Sequence, residues 1–334
     1  MNRREWLLMM GSTALAACTA RTGLSDTGTP LDWSVVASLP RPKQEIYPAL
    51  HNGEIWLSGG FVAENGAIIG PTNETVIYNP ETDSWRDGPG IPTPRHHPHL
   101  HSHEGKLYAL GGFEAVAADA QWEMQKTGWR LDEDGWNVIP AAPGPIGEAV
   151  TASLSTGLHV VGGRSPRGAA NRVWTDHTDT GQHFVFANGA WDSAAPLPTP
   201  RNSATAEVID GNLHVVGGRT VEGGNSTSHD VYSPQSDRWF MRRPLPQGQG
   251  GLASGVIDGK LYAFGGEFFD NGGGVYPQCW VYDPEADSWE AGPDMRSPRH
   301  GLGGITLNNR IYAIGGALKR GGSETSAAVE VLGV

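Results

Sequence analysis

Residues 55–60 read IWLSGG, an apolar run closed by two glycines, and the same six-residue block returns five more times. The copies are LYALGG at 107–112, LHVVGG at 158–163 and again at 213–218, LYAFGG at 261–266 and IYAIGG at 311–316. Their first glycines stand 52, 51, 55, 48 and 50 residues apart, so the chain is a repeat array whose period governs every local reading. A tryptophan precedes the first glycine of each pair by 26 residues: Trp33, Trp85, Trp136, Trp191, Trp239 and Trp289. Independent loops drift in length, so six equal spacings mark one structural unit used six times. The length variation is confined to the segment between each glycine pair and the next tryptophan.

The run before each pair is apolar on consecutive positions, as in Leu107 to Leu110 and Leu261 to Phe264, which predicts a strand covered on both faces. An aromatic residue stands seven positions before five of the tryptophans: Tyr78, Trp129, Phe184, Tyr232 and Tyr282. Together with VIYNPETDSW (76–85), DVYSPQSDRW (230–239) and WVYDPEADSW (280–289), this pattern resembles the kelch repeat. The resemblance covers roughly residues 33–332 and implies an all-β, six-bladed β-propeller. The chain enters the array at the Trp33 strand, and no tryptophan follows the sixth glycine pair. The strand missing at the end is the extra one at the start, so pairing of the N-terminal and C-terminal strands in one blade is expected to close the ring.

Residues 1–17 read as an export signal, with Arg3-Arg4 before an apolar stretch, a pattern that resembles a twin-arginine signal. Leu15-Ala16-Ala17-Cys18 resembles a bacterial lipoprotein box, which implies lipidation of Cys18, and the small polar residues 18–32 read as a flexible tether. The propeller is then residues 33–334, exported and lipid-anchored at the periplasmic or cell-surface side of a membrane. With Cys18 assigned, Cys279 is left alone and reads as a buried structural thiol. The 36 Asp+Glu outnumber the 24 Lys+Arg for a net charge of −12 spread along the repeats, which argues against nucleic acid as a partner. A monomer is expected.

Equal positions in equal repeats form rings around a propeller axis. Sixteen residues before each first glycine stand Lys43, Arg95, Ile146, Arg201, Gln249 and Arg299; the next position adds His96 and His300, and the residue after each pair adds Arg164, Arg219 and Glu267. Cations converging at a channel mouth predict binding of a carboxylate or phosphate group. The plainer expectation for the arginines is that they tie blades to their neighbours. Residues 96–103 read HHPHLHSH; on one strand face His97, His99 and His101 are candidate ligands for a divalent transition metal, although no further donor is evident and no cofactor is expected.

No phosphate-binding glycine loop, G-x-S-x-G or HExxH is present. Kelch propellers include a copper oxidase type, whose tyrosine pair has no match here, and six-bladed periplasmic sugar mutarotases. The leading expectation is a membrane-tethered binding module that recognises an anionic small molecule, a sugar or a protein partner at the loop face. The alternative is a mutarotase- or epimerase-like enzyme on an acidic sugar, with Glu148, Glu267 or a histidine as acid or base.

Overall fold

A computed structural model describes residues 31–333. The expected signal, Cys18 and nearly all of the tether lie outside the described residues. Among those described, the fold is all-β: helix is limited to two single 3-10 turns, Trp174–Asp176 and Asp270–Gly272. Each repeat builds an antiparallel four-stranded sheet in sequence order, and sheets 1 to 6 are numbered by their glycine pairs. Sheet 4, for example, runs Thr205–Ile209, Asn212–Val216, His229–Ser233 and Arg238–Met241. In sheet 6 the outer strand comes from the other end of the chain, Asp32–Val35 pairing antiparallel with Val329–Gly333.

The first strands of successive sheets lie side by side from sheet 1 through sheet 6, and that of sheet 6 also lies beside that of sheet 1. The arrangement is propeller-like. Because each sheet is covered on both faces, the core is divided among six clusters, each shared by two neighbouring sheets. Leu57 and Tyr78 of sheet 1, for instance, pack with Leu307, Tyr312 and Ile314 of sheet 6.

The glycine pairs are explained by what approaches them. The second glycine of each pair donates its N–H to the carbonyl of the residue that opens the next sheet: Gly60 to Arg95, Gly112 to Ile146, Gly163 to Arg201 and Gly218 to Gln249, each at 2.8 Å. Gly266 reaches Arg299 at 2.9 Å and Gly316 reaches Lys43 at 2.8 Å. A Cβ on the first glycine would collide with that same carbonyl, at 2.6 Å from Arg95 O for Gly59 and 2.4 Å from Ile146 O for Gly111. Both positions also have positive φ, which glycine adopts without strain.

The tryptophans mark the outer rim in the same way. Each indole Nε1–H donates to a backbone carbonyl of the preceding sheet's exit segment: Trp85 to Ala37, Trp136 to Pro89, Trp191 to Pro140, Trp239 to Ala195 and Trp289 to Arg243, at 2.7–2.9 Å. Trp33 makes the equivalent 2.9 Å bond to Pro293 O and packs edge-on against Phe264.

Sheets 3 and 4 bury matching histidine pairs. His183 Nδ1 meets Ala195 O at 2.8 Å and must donate, so its Nε2 accepts from His159 Nδ1 at 2.7 Å, and Thr156 Oγ1 donates to His159 Nε2. His229 and His214 repeat the arrangement with Arg243 O. Both chains of bonds are complete with neutral rings. Burial, and for His159 and His229 the imidazole beside it, pushes His159 and His229 down to about 3, and burial pushes His214 down to about 4.

Two outcomes follow. Trp33 is fully buried in the cluster between sheets 5 and 6, so Trp33→Ala lowers unfolding free energy by about 3–5 kcal/mol, the usual cost of emptying an aromatic core site. A urea midpoint equal to that of the parent contradicts this. The folded histidines protonate far below the unfolded value of about 6.5, so the unfolded chain binds protons first as pH falls. Stability is therefore full above about pH 6.5 and declines steadily below it; urea midpoints that stay level from neutral pH to pH 5 refute the histidine contribution.

Candidate functional site

Fourteen residues before each first glycine stand Glu45, His97, Glu148, Ser203, Gly251 and Gly301, all with φ between +49° and +68°. This conformation aims their backbone at the axis. His97 N–H donates to Glu45 O, Ser203 to Glu148, Gly251 to Ser203, Gly301 to Gly251 and Glu45 to Gly301, at 2.7–3.0 Å. Three members of this ring carry ionisable side chains. The residues following the glycine pairs stand over it: Phe61, Phe113, Arg164, Arg219, Glu267 and Ala317.

The two layers form a buried ion cluster. Glu148 faces Arg164 Nε, lies 3.5 Å from Arg219 and 3.7 Å from His97, and accepts from Ser203 Oγ at 3.0 Å. Burial opposes its ionisation, but the charges of Arg164, His97 and Arg219 outweigh burial and hold the carboxyl down at about 2. Arg219 also pairs with Glu267, whose other oxygen accepts Gly321 N–H at 2.7 Å. His96 donates Nε2–H to Gln121 O at 2.9 Å, so its Nδ1 accepts from His97 Nδ1 at 2.7 Å. His97 then meets the Glu45 carboxylate through Nε2 at 2.8 Å, donating from both ring nitrogens. Burial disfavours the Glu45 charge, yet His97, His300 and Arg219 hold that carboxyl far below the usual range.

Above the cluster opens a cavity of about 600 Å³. Phe61, Trp122, Trp174 and Phe269 supply aromatic walls, and Glu45, Arg219 and Glu267 reach it from below. His96 is stacked between Phe61 and Phe113 at 4.1 and 4.9 Å, and the Arg164 guanidinium lies 4.4 Å over the Trp174 ring. Arg219 Nε and Arg164 Nη1 are buried donors with no hydrogen-bond partner. A buried polar group in that state beside an open cavity is a point where a ligand atom gains a full hydrogen bond.

The residues expected at the mouth divide into two sets. His96, Arg164, Arg219, Glu267 and His300 come together in this cluster; His300 donates Nε2–H to Lys319 O and Gly321 O and stands 3.4 Å from Glu267. The cations sixteen residues before the glycines do not join them. Arg201 Nε and Arg299 Nε each donate to the first-glycine carbonyl of their own repeat at 2.7 Å, as does Arg95 Nη1. Their remaining charge is met by Asp230, Glu330 and Glu114. Lys43 is likewise buried, against Glu74 at 3.2 Å. These four are held within the fold, the three guanidiniums by the strand-end carbonyls and the Lys43 ammonium by Glu74.

The histidine run is similarly separated. His97 turns out of the strand at φ +54°, His99 stacks on Tyr47 at 4.3 Å, and His101 Nδ1 meets Thr151 at 3.2 Å. Among the described residues no three His, Cys, Asp or Glu side chains are placed to hold a metal ion. Cys279 is buried, and burial pushes its thiol up to about 12, in keeping with an inert core residue. Glu45, Phe61, Trp122 and Trp174 escaped sequence reasoning. Glu45 was within reach of it, because Gly251 and Gly301 at the same repeat position signal a left-handed backbone. Trp122 and Trp174 lie in the variable segments, which have no common register.

Comparison with known proteins fits this geometry. A Kelch motif model matches residues 250–296, the repeat of sheet 5. The Kelch-like protein terF of Aspergillus terreus is 29% identical over 220 residues, covering 64% of this chain and 47% of that protein. Beta-scruin of Limulus polyphemus is 26% identical over 222 residues, 62% of this chain and 23% of its own. The chain thus spans about half or less of the length of these relatives. The solved structure of YjhT superposes with a TM-score of 0.73 at 16% identity, covering 88% of this chain and 96% of that one, a likeness of fold alone. The motif match and these relatives support the kelch-repeat family for this chain.

Proposed function

We propose that this protein is an extracytoplasmic, membrane-tethered binding module that recognises an anionic ligand in the aromatic-walled cavity. In this reading residues 33–334 are a six-bladed propeller closed by its two terminal strands, residues 1–17 direct export, and a lipid on Cys18 anchors the propeller through residues 18–32. The observation that carries it is Arg219: a guanidinium at the cavity, with Nε lacking a partner, beneath aromatic rings. A planar carboxylate on a ring-shaped molecule would meet Arg219 with its charge and the walls with its apolar face. Hydroxyls on such a ring would find the Glu45 and Glu267 carboxylates as acceptors, so sugar acids are the first class to test. Kelch-repeat propellers typically serve as protein-binding modules, and an acidic side chain of a protein partner would present the same group.

The enzyme alternative draws on the same carboxylates. Glu148, held at about 2 by its cationic neighbours, is ionised throughout the neutral range and too weakly basic for efficient proton abstraction. Against its burial, His97, His300 and Arg219 likewise hold Glu45 well below the usual carboxylate range. For these two carboxylates the pairing favours binding over proton abstraction.

Titration of sugar acids followed by tryptophan fluorescence tests the site. Arg219→Ala weakens a ligand by about 1.5–3 kcal/mol, the range for hydrogen bonds to charged groups, whereas Arg201→Ala lowers the melting temperature and leaves the folded fraction competent to bind. Unaltered affinity in Arg219→Ala removes the site from consideration. For the anchor, Cys18→Ser shifts the protein from the membrane to the soluble fraction; equal membrane retention of the processed variant rejects lipidation.

A further inference from the structure

The outermost strand of sheet 4, Arg238–Met241, runs into two more arginines, so residues 238–243 read RWFMRR. The equivalent strands of the other sheets read DWSV, SWRDG, GWNV, AWDS and SWEA. None of them carries more than one cation. Other exposed arginines have partners: Arg86 pairs with Glu54, Arg130 with Asp132, Arg167 with Glu222 and Arg172 with Asp119, Arg296 donates to Trp33 O, and Arg320 lies over the Phe269 ring. Among the described residues, the side chains of Arg238, Arg242 and Arg243 make no hydrogen bond and no ion pair. Acids are abundant in a chain of net charge −12, so three adjacent unpaired guanidiniums do not reflect a shortage of partners.

Two large apolar side chains stand among these cations, Phe240 at 47% and Met241 at 83% exposure. Strand alternation places Phe240 with Arg238 on one face and Met241 on the other, and Arg242 and Arg243 follow just past the strand end. Phe240 and Arg242 border a cavity of about 290 Å³ between sheets 4 and 5, which Asp210, Asn212, Ser233 and His214 also line.

We propose that this strand docks on an anionic phospholipid surface. Arg238, Arg242 and Arg243 lie against headgroup phosphates, and Phe240 and Met241 enter the boundary of the acyl chains. A bilayer fits better than an acidic protein because Met241 stands 83% exposed on the outermost strand of the sheet. A protein would need a matching pocket for that side chain, whereas lipid accepts it without shape complementarity.

Co-sedimentation of the Cys18→Ser chain, the parent for every variant here, with vesicles of phosphatidylcholine, alone or with one third phosphatidylglycerol, tests the proposal. The chain prefers the anionic vesicles, and high salt removes the preference. Replacing all three arginines (Arg238→Gln, Arg242→Gln, Arg243→Gln) lowers the anionic excess by about tenfold or more, with sedimentation on neutral vesicles and the thermal melt unchanged. Phe240→Ser with Met241→Ser weakens binding at low and high salt alike. Equal binding of parent and triple variant to anionic vesicles overturns the proposal, as does a parent with no preference for them. Retention of the parent on polyglutamate with no vesicle preference overturns it in favour of an acidic protein partner.

Discussion

Six hydrogen bonds between the sheets, each from the N–H of a second glycine to the carbonyl that opens the next sheet, set the geometry on which everything else rests. They use backbone atoms only, and they bring one chain so close to another that a Cβ on the first glycine is excluded. The paired glycines are therefore a consequence of contact between sheets. From this contact follow the fixed position of the residue sixteen places upstream, whose carbonyl is the acceptor, and the inward turn two residues later. At the rim, the tryptophan bonds hold the same neighbours at a second point, which fixes each sheet against rotation about the first.

The central ion cluster is costly to bury and must be compensated within itself. Three carboxylates, Glu45, Glu148 and Glu267, face Arg164, Arg219 and His97 at close range in the interior. Removing one member strands its partner in a medium where an isolated charge is expensive. Such a network contributes little net stability, because desolvation offsets most of the attraction. What it provides is position: Arg219 is held at the cavity by acids on two sides. The arginines at Arg95, Arg201 and Arg299 illustrate the opposite use of the same residue type, since each satisfies backbone carbonyls inside its own sheet and presents nothing to the axis.

The contrast explains how much of the molecule could be read from its sequence. Glycine pairs and tryptophans were legible because each is repeated and each has a backbone partner at a constant offset. The five axial residues His96, Arg164, Arg219, Glu267 and His300 were legible as members of rings. The direction of the upstream arginines was not, because alignment places a Cα and says nothing about whether a long side chain points to the axis or back to a strand end. Glu45 meets His97 and Glu148 meets Arg219 of a different repeat, and such pairings carry no spacing signal. The alternation of His97, His99 and His101 predicted a common face, but His97 lies in the turn before the strand, where the period of two does not apply.

A scaffold held by backbone bonds leaves its side chains free to differ, and the axial positions do differ around the ring. The glycine pairs are constrained by backbone contact; two residues past the acceptor carbonyl, the left-handed backbone carries Glu, His, Ser or Gly. Glu45, His97 and Glu148 occupy one half of that ring, and Ser203, Gly251 and Gly301 the other. Above it, aromatic rings stand over sheets 1 and 2, guanidiniums over sheets 3 and 4, and a carboxylate over sheet 5. Six equivalent sheets would offer a ligand six equivalent orientations. Distributing apolar, cationic and anionic groups over different sheets removes that degeneracy and gives the cavity aromatic walls above a charged floor.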